Sequence, residues 1–190
     1  MKIISQNLTN YNFPVPKDTI FRINLAWINN LDELKVLLAK HVSHKIFLDL
    51  PINRTKPPNN AYAMGELVPI LRDYSNIKYL AISNVNTAND LTEYLQIIPQ
   101  EIIIVPKIES PEGVDNIEII ASSLPYKEKV VMLDHDDLYS SLTKQGKPQN
   151  TFKEYFNKLV KFCNENKIVL LRTVGVVFSD EEKKVSQYIK

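Results

Sequence analysis

Glycine is scarce in this sequence: four residues in 190. None of them forms a Gly-rich phosphate loop behind an apolar run, which removes the main support for a dinucleotide-binding sheet. Cysteine is scarcer still. Cys163 stands alone, so no intramolecular disulfide can form, and its place on an apolar helical stripe predicts a packed, reduced thiol. An excess of either charge is also missing. The 23 basic and 22 acidic side chains leave a formal net charge of +1, which gives no electrostatic reason to expect nucleic acid or an anionic membrane as partner. No apolar run approaches the ~20 residues that cross a bilayer. The opening "MKIISQNLTN" lacks the charged-then-apolar pattern of a secretory leader, so a cytoplasmic protein without membrane contact is expected.

What remains is ordinary globular composition, 44% apolar and 24% charged, in a length that suits a single domain over 1–190. Short β-rich runs alternate with helical patterns. Strands are predicted at 2–5, 20–25 ("IFRINL"), 45–50 ("KIFLDL"), 77–83 ("IKYLAIS"), 102–109, 129–134 ("KVVMLD") and 167–173 ("KIVLLRT"). Most are continuous apolar runs, as expected of parallel strands covered on both faces. Helical stripes fall on Leu31, Leu34, Leu37 and Leu38, and on Leu91, Tyr94, Leu95 and Ile98. A weaker one runs through Val114, Ile117 and Ile120. The clearest is Phe152, Tyr155, Phe156, Leu159, Val160 and Cys163, behind a Thr151 cap. "PINRTKPPNNAYAM" (51–64) and "SSLTKQGKPQN" (140–150) read as loops, and 180–190 as a terminal helix. Repeated strand–helix units without a phosphate loop predict a TIM-type (β/α) barrel. It is incomplete in count, with about seven strands where a complete barrel has eight.

Barrel chemistry sits at the C-terminal strand ends. Here those ends carry Arg22 and Asn24, Asp49 with Arg54 beyond it, Ser83, Lys107 and Glu109, Asp134 to Asp137 ("DHDD"), and Thr173. A period of two puts Lys107 and Glu109 on one face of their strand. Two readings fit that spacing. The pair is an exposed ion pair worth ~0–1 kcal/mol, or it is half of a site in which Glu109 and Asp137 offer hard oxygen ligands to Mg2+ or Mn2+. In the second case Lys107 would stabilise negative charge on a bound oxyanion or enolate. "DHDD" by itself reads as a solvated turn or helix cap, and His41, His44 and His135 as surface histidines.

Taken in chain order, these strand ends resemble a known family. "KIESPEG" (107–113) is similar to the Lys-Ile-Glu-x-x-Glu-Gly signature of pyruvate kinase, a phosphoenolpyruvate/pyruvate-binding barrel. "RINLAW" (22–27), "FLDLP" (47–51), "AISNV" (81–85), "VMLDHDDLY" (131–139) and "CNENKIVLLRT" (163–173) resemble, in the same order, the family's other strand ends. The resemblance covers about Ile20 to Thr173. It implies Lys107 as the group that neutralises the enolate, Glu109 and Asp137 as metal ligands, Thr173 as the active-site threonine, and Arg22 at phosphate or carboxylate. Asn24, Asp49, Arg54 and Ser83 fall at further substrate-binding positions. The departures are specific. No lid domain follows "KIFLDL", and no stretch matches the C-terminal allosteric domain. Ala26 and Leu50 replace a Ser and a Thr, which counts against a K+ site. His135 and Asp136 replace the Arg-Gly that cradles the substrate carboxylate, and Arg54 aligns only across a two-residue deletion.

Three functions are compatible with these residues. The first is a metal-dependent enzyme that binds a small 2-oxo acid or enolpyruvate and stabilises its enolate, as an aldolase- or decarboxylase-type lyase. The second is a minimal pyruvate kinase, disfavoured because the missing lid would close over the phosphates and exclude water. The third is a degenerate, non-catalytic barrel whose open edge serves binding or homo-oligomeric assembly.

Overall fold

The computed structural model describes residues 3–5, 19–54, 57–148 and 150–173. The predicted helix over 180–190 lies outside them. Seven parallel strands alternate with helices: β1 (Ile3–Ser5), β2 (Ile20–Asn24), α1 (Leu31–Lys40), β3 (Lys45–Leu50), α2 (Met64–Asp73), β4 (Ile77–Ile82) and α3 (Thr92–Ile97). Then come β5 (Ile103–Ile108), α4 (Pro111–Asp115), α5 (Ile117–Ser123), β6 (Val130–Asp134), α6 (His135–Lys144), α7 (Thr151–Glu165) and β7 (Val169–Thr173). Strand order in space is strand order in the chain, and every pairing is parallel. A doubly wound sheet would reverse its order at a switch point; this one never does. Six strands of five or six residues make up the sheet, with the three-residue β1 at its edge. Among the described residues no pairing joins β7 to β1, so the predicted barrel is a curled, incomplete one.

The two faces bury different sets. Phe21, Ile23, Leu48, Ile82, Ile104, Ile108 and Leu133 belong to the large core, where they meet helical residues such as Leu34, Leu38, Leu67, Ile120 and Leu159. On the other face a smaller core gathers Ile20, Phe47, Tyr79, Ala81, Val105, Val130 and Met132. Cα partners across neighbouring strands share a face, and the register Arg22↔Phe47↔Tyr79↔Ile103 ties these inner positions together. Covering both faces is why the strands read as unbroken apolar runs.

Local chemistry accounts for the helix starts. Asn30 caps α1 by accepting from the Glu33 amide at 2.9 Å. Ser110 caps α4 by accepting from the Gly113 amide at 3.1 Å, with Pro111 in the first helical position, where its missing N–H costs nothing. Several expectations are corrected. Residues 140–144, predicted as loop, complete α6, because Leu138 and Leu142 give that segment a buried stripe. Thr151 is the first residue of α7 rather than its cap. Leu91 lies in a short 3-10 turn ahead of α3, and the weak stripe through Val114 to Ile120 is broken at Asn116 into α4 and α5. His41, predicted at the surface, is buried and stacks on Phe21 with ring centroids 3.8 Å apart; burial, with His44 and Lys40 nearby, lowers its pKa. Cys163 is buried on α7, and burial pushes its thiol up to about 11. No helix among the described residues is long and apolar enough to cross a membrane.

Candidate functional site

Along the inner face the strands turn from apolar to polar toward their C-terminal ends. On β5 the alternation runs Ile103, Val105, Lys107, Glu109; on β6 it runs Val130, Met132, Asp134; on β3, Phe47 then Asp49. A period of two, continued past the apolar core, therefore delivers the charged residues to one small volume.

Lys107 stands at the centre of that volume. Its Nζ lies 2.8 Å from Glu109 Oε1, 3.6 Å from Asp49 Oδ2 and 3.7 Å from Asp134 Oδ2, and it donates to Ser83 Oγ at 3.4 Å. Lys107 and Glu109 are only 6% and 5% exposed, which overturns the reading of a solvated surface pair. Asp49, 1% exposed, also accepts from the Arg22 guanidinium. Burial alone would raise the Asp49 carboxyl, but Arg22 and Lys107 outweigh it and hold the group below the ordinary carboxylate value. Burial would likewise deprotonate Lys107, yet Asp49, Glu109 and Asp134 together hold its pKa above the ordinary value. Glu109 moves the other way. Its burial dominates Lys107 and the Asn84 amide, and its pKa is raised.

Two local devices aim the ligands. Asn84 adopts a left-handed backbone, φ 56°, which directs its N–H to Glu109 Oε2 at 2.7 Å, while its side-chain amide donates to the Ile52 carbonyl at 2.5 Å. Asp134 ends β6 and caps α6, accepting from the Asp137 amide at 3.3 Å. One carboxylate oxygen each from Glu109, Asp134 and Asp137 can be chosen so that all lie within 4.8 Å of one another. Asp137 was expected there. Asp134 was missed as a ligand, although the period-two pattern Val130, Met132, Asp134 carries the signal, because "DHDD" reads first as a helix start.

The donor set fits a hard divalent cation. Glu109, Asp134 and Asp137 each offer a carboxylate oxygen, the hard ligand such an ion takes. A cleft of about 400 Å³ opens over Lys107, Glu109 and Asp137. Its walls include Asn24, Asp49, Arg54 and Ser83, all expected at substrate-binding positions. The Asn24 side chain accepts from the Ala26 amide at 3.0 Å, and Arg54 Nε donates to the Pro58 carbonyl at 2.7 Å, so both are held by their own loops. Thr173 pairs with Asp134 in the β6–β7 register, which places its backbone at the level of the cluster. Glu112, the second glutamate of "KIESPEG", is exposed on α4 and outside the cleft.

No family model matches this sequence, and no curated protein does. Solved structures do match in fold. RipC from Yersinia pestis aligns over 85% of this chain and 72% of its own, at 17% identity and a TM-score of 0.59. An HpcH/HpaI aldolase/citrate lyase family protein from Burkholderia cenocepacia J2315 aligns over 82% of this chain and 71% of its own, at 15% identity and a TM-score of 0.56. The expected likeness to the pyruvate kinase barrel is not what these neighbours carry; the family named among them is the aldolase/citrate lyase family.

Proposed function

We propose that this protein holds Mg2+ or Mn2+ between Glu109, Asp134 and Asp137 and stabilises the enolate of pyruvate, phosphoenolpyruvate, oxaloacetate or a related 2-oxo acid, acting as an aldolase- or decarboxylase-type lyase. The observation that carries this reading is the meeting of three carboxylates within 4.8 Å beside a buried ammonium, two of them in the wall of a cleft. A divalent cation bound there would chelate the substrate's carboxylate and keto oxygens and draw electron density from the carbonyl.

The chain's own groups divide the remaining work. Lys107, its pKa raised, stays protonated at neutral pH. Its role is therefore electrostatic: it offers a fixed positive charge and N–H donors where an enolate oxygen gains charge, at no reorganisation cost during reaction. Ser83, Asp49 and Glu109 fix the position of that ammonium. Arg22, expected at the substrate, is not among the residues lining the cleft; its guanidinium instead holds Asp49, and through it the Lys107 ammonium. Asn24 and Arg54 wall the substrate side of the cleft. The resemblance to the pyruvate kinase strand ends gives Thr173, whose backbone pairs with Asp134, the role of orienting a proton-transferring water.

Lyase chemistry is favoured over phosphoryl transfer on two grounds. The connection from β3 to α2 spans only 51–63, where pyruvate kinases insert their lid, and the family named for a structural neighbour is a lyase family. A purely non-catalytic barrel gives no reason to bury Lys107 and Glu109 beside two further carboxylates.

Calorimetry with oxalate, an enolate mimic, tests the reading. Oxalate is expected to bind the wild-type protein only with Mn2+ present, and Glu109→Gln or Asp134→Asn should each weaken Mn2+ binding at least tenfold. Wild-type protein that fails to bind oxalate in the presence of Mn2+ sinks it.

A further inference from the structure

A second cavity, of about 450 Å³, lies at the other end of the sheet from the Lys107 cluster. Its walls come from α5, from the last turn of α7 and from the residues that lead into β6 and β7. Lys129 stands just before β6 and Asp134 ends it, so about 16 Å of strand separates this cavity from the carboxylates. The enolate chemistry makes no use of it.

Charge distinguishes the cavity. Three lysines line it, Lys127, Lys129 and Lys167, against one acid, Glu118. The partial negative charge at a helix C-terminus attracts lysines, and that accounts for one of the three. Lys129 Nζ donates to the Ala121 carbonyl in the last turn of α5 at 2.6 Å, and it keeps two N–H donors beyond that bond. Lys127 and Lys167 make no ion pair among the described residues.

Lys167 carries the sharper signal. It follows α7 with a left-handed backbone, φ 56°, and the next amide, that of Ile168, bonds back to the Cys163 carbonyl at 2.8 Å. Helices that end this way favour glycine at the left-handed position, because a Cβ is strained there. A lysine therefore stands where glycine would suit the fold better, and it stands in the cavity wall. Strain of this kind, held beside a cavity, points to a use for the side chain. Phe162 and the buried Ile168 supply an apolar part of the same wall.

We propose that this cavity binds a phosphorylated small molecule, with Lys127, Lys129 and Lys167 on the phosphate oxygens and Phe162 and Ile168 against the organic part. Three ammoniums match a group of multiple negative charge better than a single carboxylate, and lysine serves phosphate as a compact point charge.

Pyrophosphate titrated into the full-length protein without added metal, followed by amide NMR shifts, tests the proposal. Saturable shifts are expected at Ser122, Lys127, Lys129 and Lys167, and acetate over the same range should produce none. Lys127→Gln and Lys167→Gly should each weaken pyrophosphate binding about fivefold, the worth of one solvent-facing ionic contact. Lys167→Gly also separates a ligand role from a structural one. Glycine suits the left-handed backbone, so the urea midpoint of this variant should equal or exceed that of the wild type. A lowered midpoint would mean that Lys167 is kept for the fold, and it overturns the assignment of that side chain to a ligand. The proposal as a whole is overturned by any of four results: no saturable shift up to about 10 mM pyrophosphate, shifts confined to the C-terminal strand ends, equal binding of acetate, or an affinity unchanged in both variants.

Discussion

Asp49 is where the site and the stability of the fold meet. Its carboxylate is nearly inaccessible and answers both Arg22 and Lys107, which lie on strands either side of it in sequence. Removing one partner of a buried charge network leaves the others uncompensated, at a cost of about 3 kcal/mol. Asp49→Asn should therefore be less stable than wild type by that amount at pH 7. The pH dependence carries a second signature. The folded pKa of Asp49 lies below its unfolded value near 3.8, so the unfolded chain takes up the proton first as pH falls. The stability this group contributes is complete above 3.8 and disappears as pH drops through the depressed folded value. Urea titrations at a series of pH values should show wild type losing more stability below pH 4 than Asp49→Asn does. Parallel acid curves for the two proteins would mean that Asp49 is not held ionised by its neighbours. Spacing left Lys107 open between a surface pair and a buried site for a related reason: it puts the residue on a face, but only the neighbouring strands supply the carboxylates that let an ammonium stay charged without water.

At the level of elements, "KIESPEG" contains two different things. Lys107 and Glu109 pair with each other in the wall of the cleft. "SPEG" is a helix start, with Ser110 at the cap, Pro111 first, and Gly113 where α4 packs close to the loop that follows β4. A Cβ on Gly113 would sit 2.6 Å from the Val85 carbonyl oxygen and 3.3 Å from Ile108 Cγ2. The glycine is therefore a packing requirement, since the first obstacle is backbone that cannot turn aside. Gly113→Ala should lower the unfolding free energy by about 1–3 kcal/mol, as overpacked substitutions do, read as a shift in denaturation midpoint at unchanged slope. Gly65 offers the control, because a Cβ there meets nothing within 4 Å. The same segment shows how one residue can hide a second role. Asp134 was legible as a cap because its side chain precedes a helical stripe. Its other oxygen facing Lys107 depends on where β5 lies, a whole strand–helix unit earlier in the chain and beyond any local signal.

For the molecule as a whole, the order of the sheet sets which parts open first. Strands β3, β4 and β5 have a partner on each side, while β1 offers three residues to a single neighbour. Hydrogen exchange should be slowest for amides of β3 and β4 and much faster for β1, which opens without disturbing the core. Equal protection across all seven strands would show that the sheet is closed or fully cooperative. The site draws on β2 through β6 and on the N-terminal turn of α6, so it belongs to the protected part.

The parallel β/α architecture could be read from the chain alone, because strands buried on both faces must be apolar throughout and the helices between them must carry one apolar stripe. Lys107, Glu109 and Asp137 could be read as well, since a period of two and the strand-end rule need only local spacing. Tertiary structure alone decided the rest: that Lys107 and Glu109 are buried, that Asp49 joins Arg22 to Lys107, that Asp134 completes the carboxylate set, that His41 stacks inside, and that the barrel stays open among the described residues. Each of these is a contact between segments tens of residues apart. Such contacts depend on register and curl accumulated over several strands, and no window of sequence records that sum.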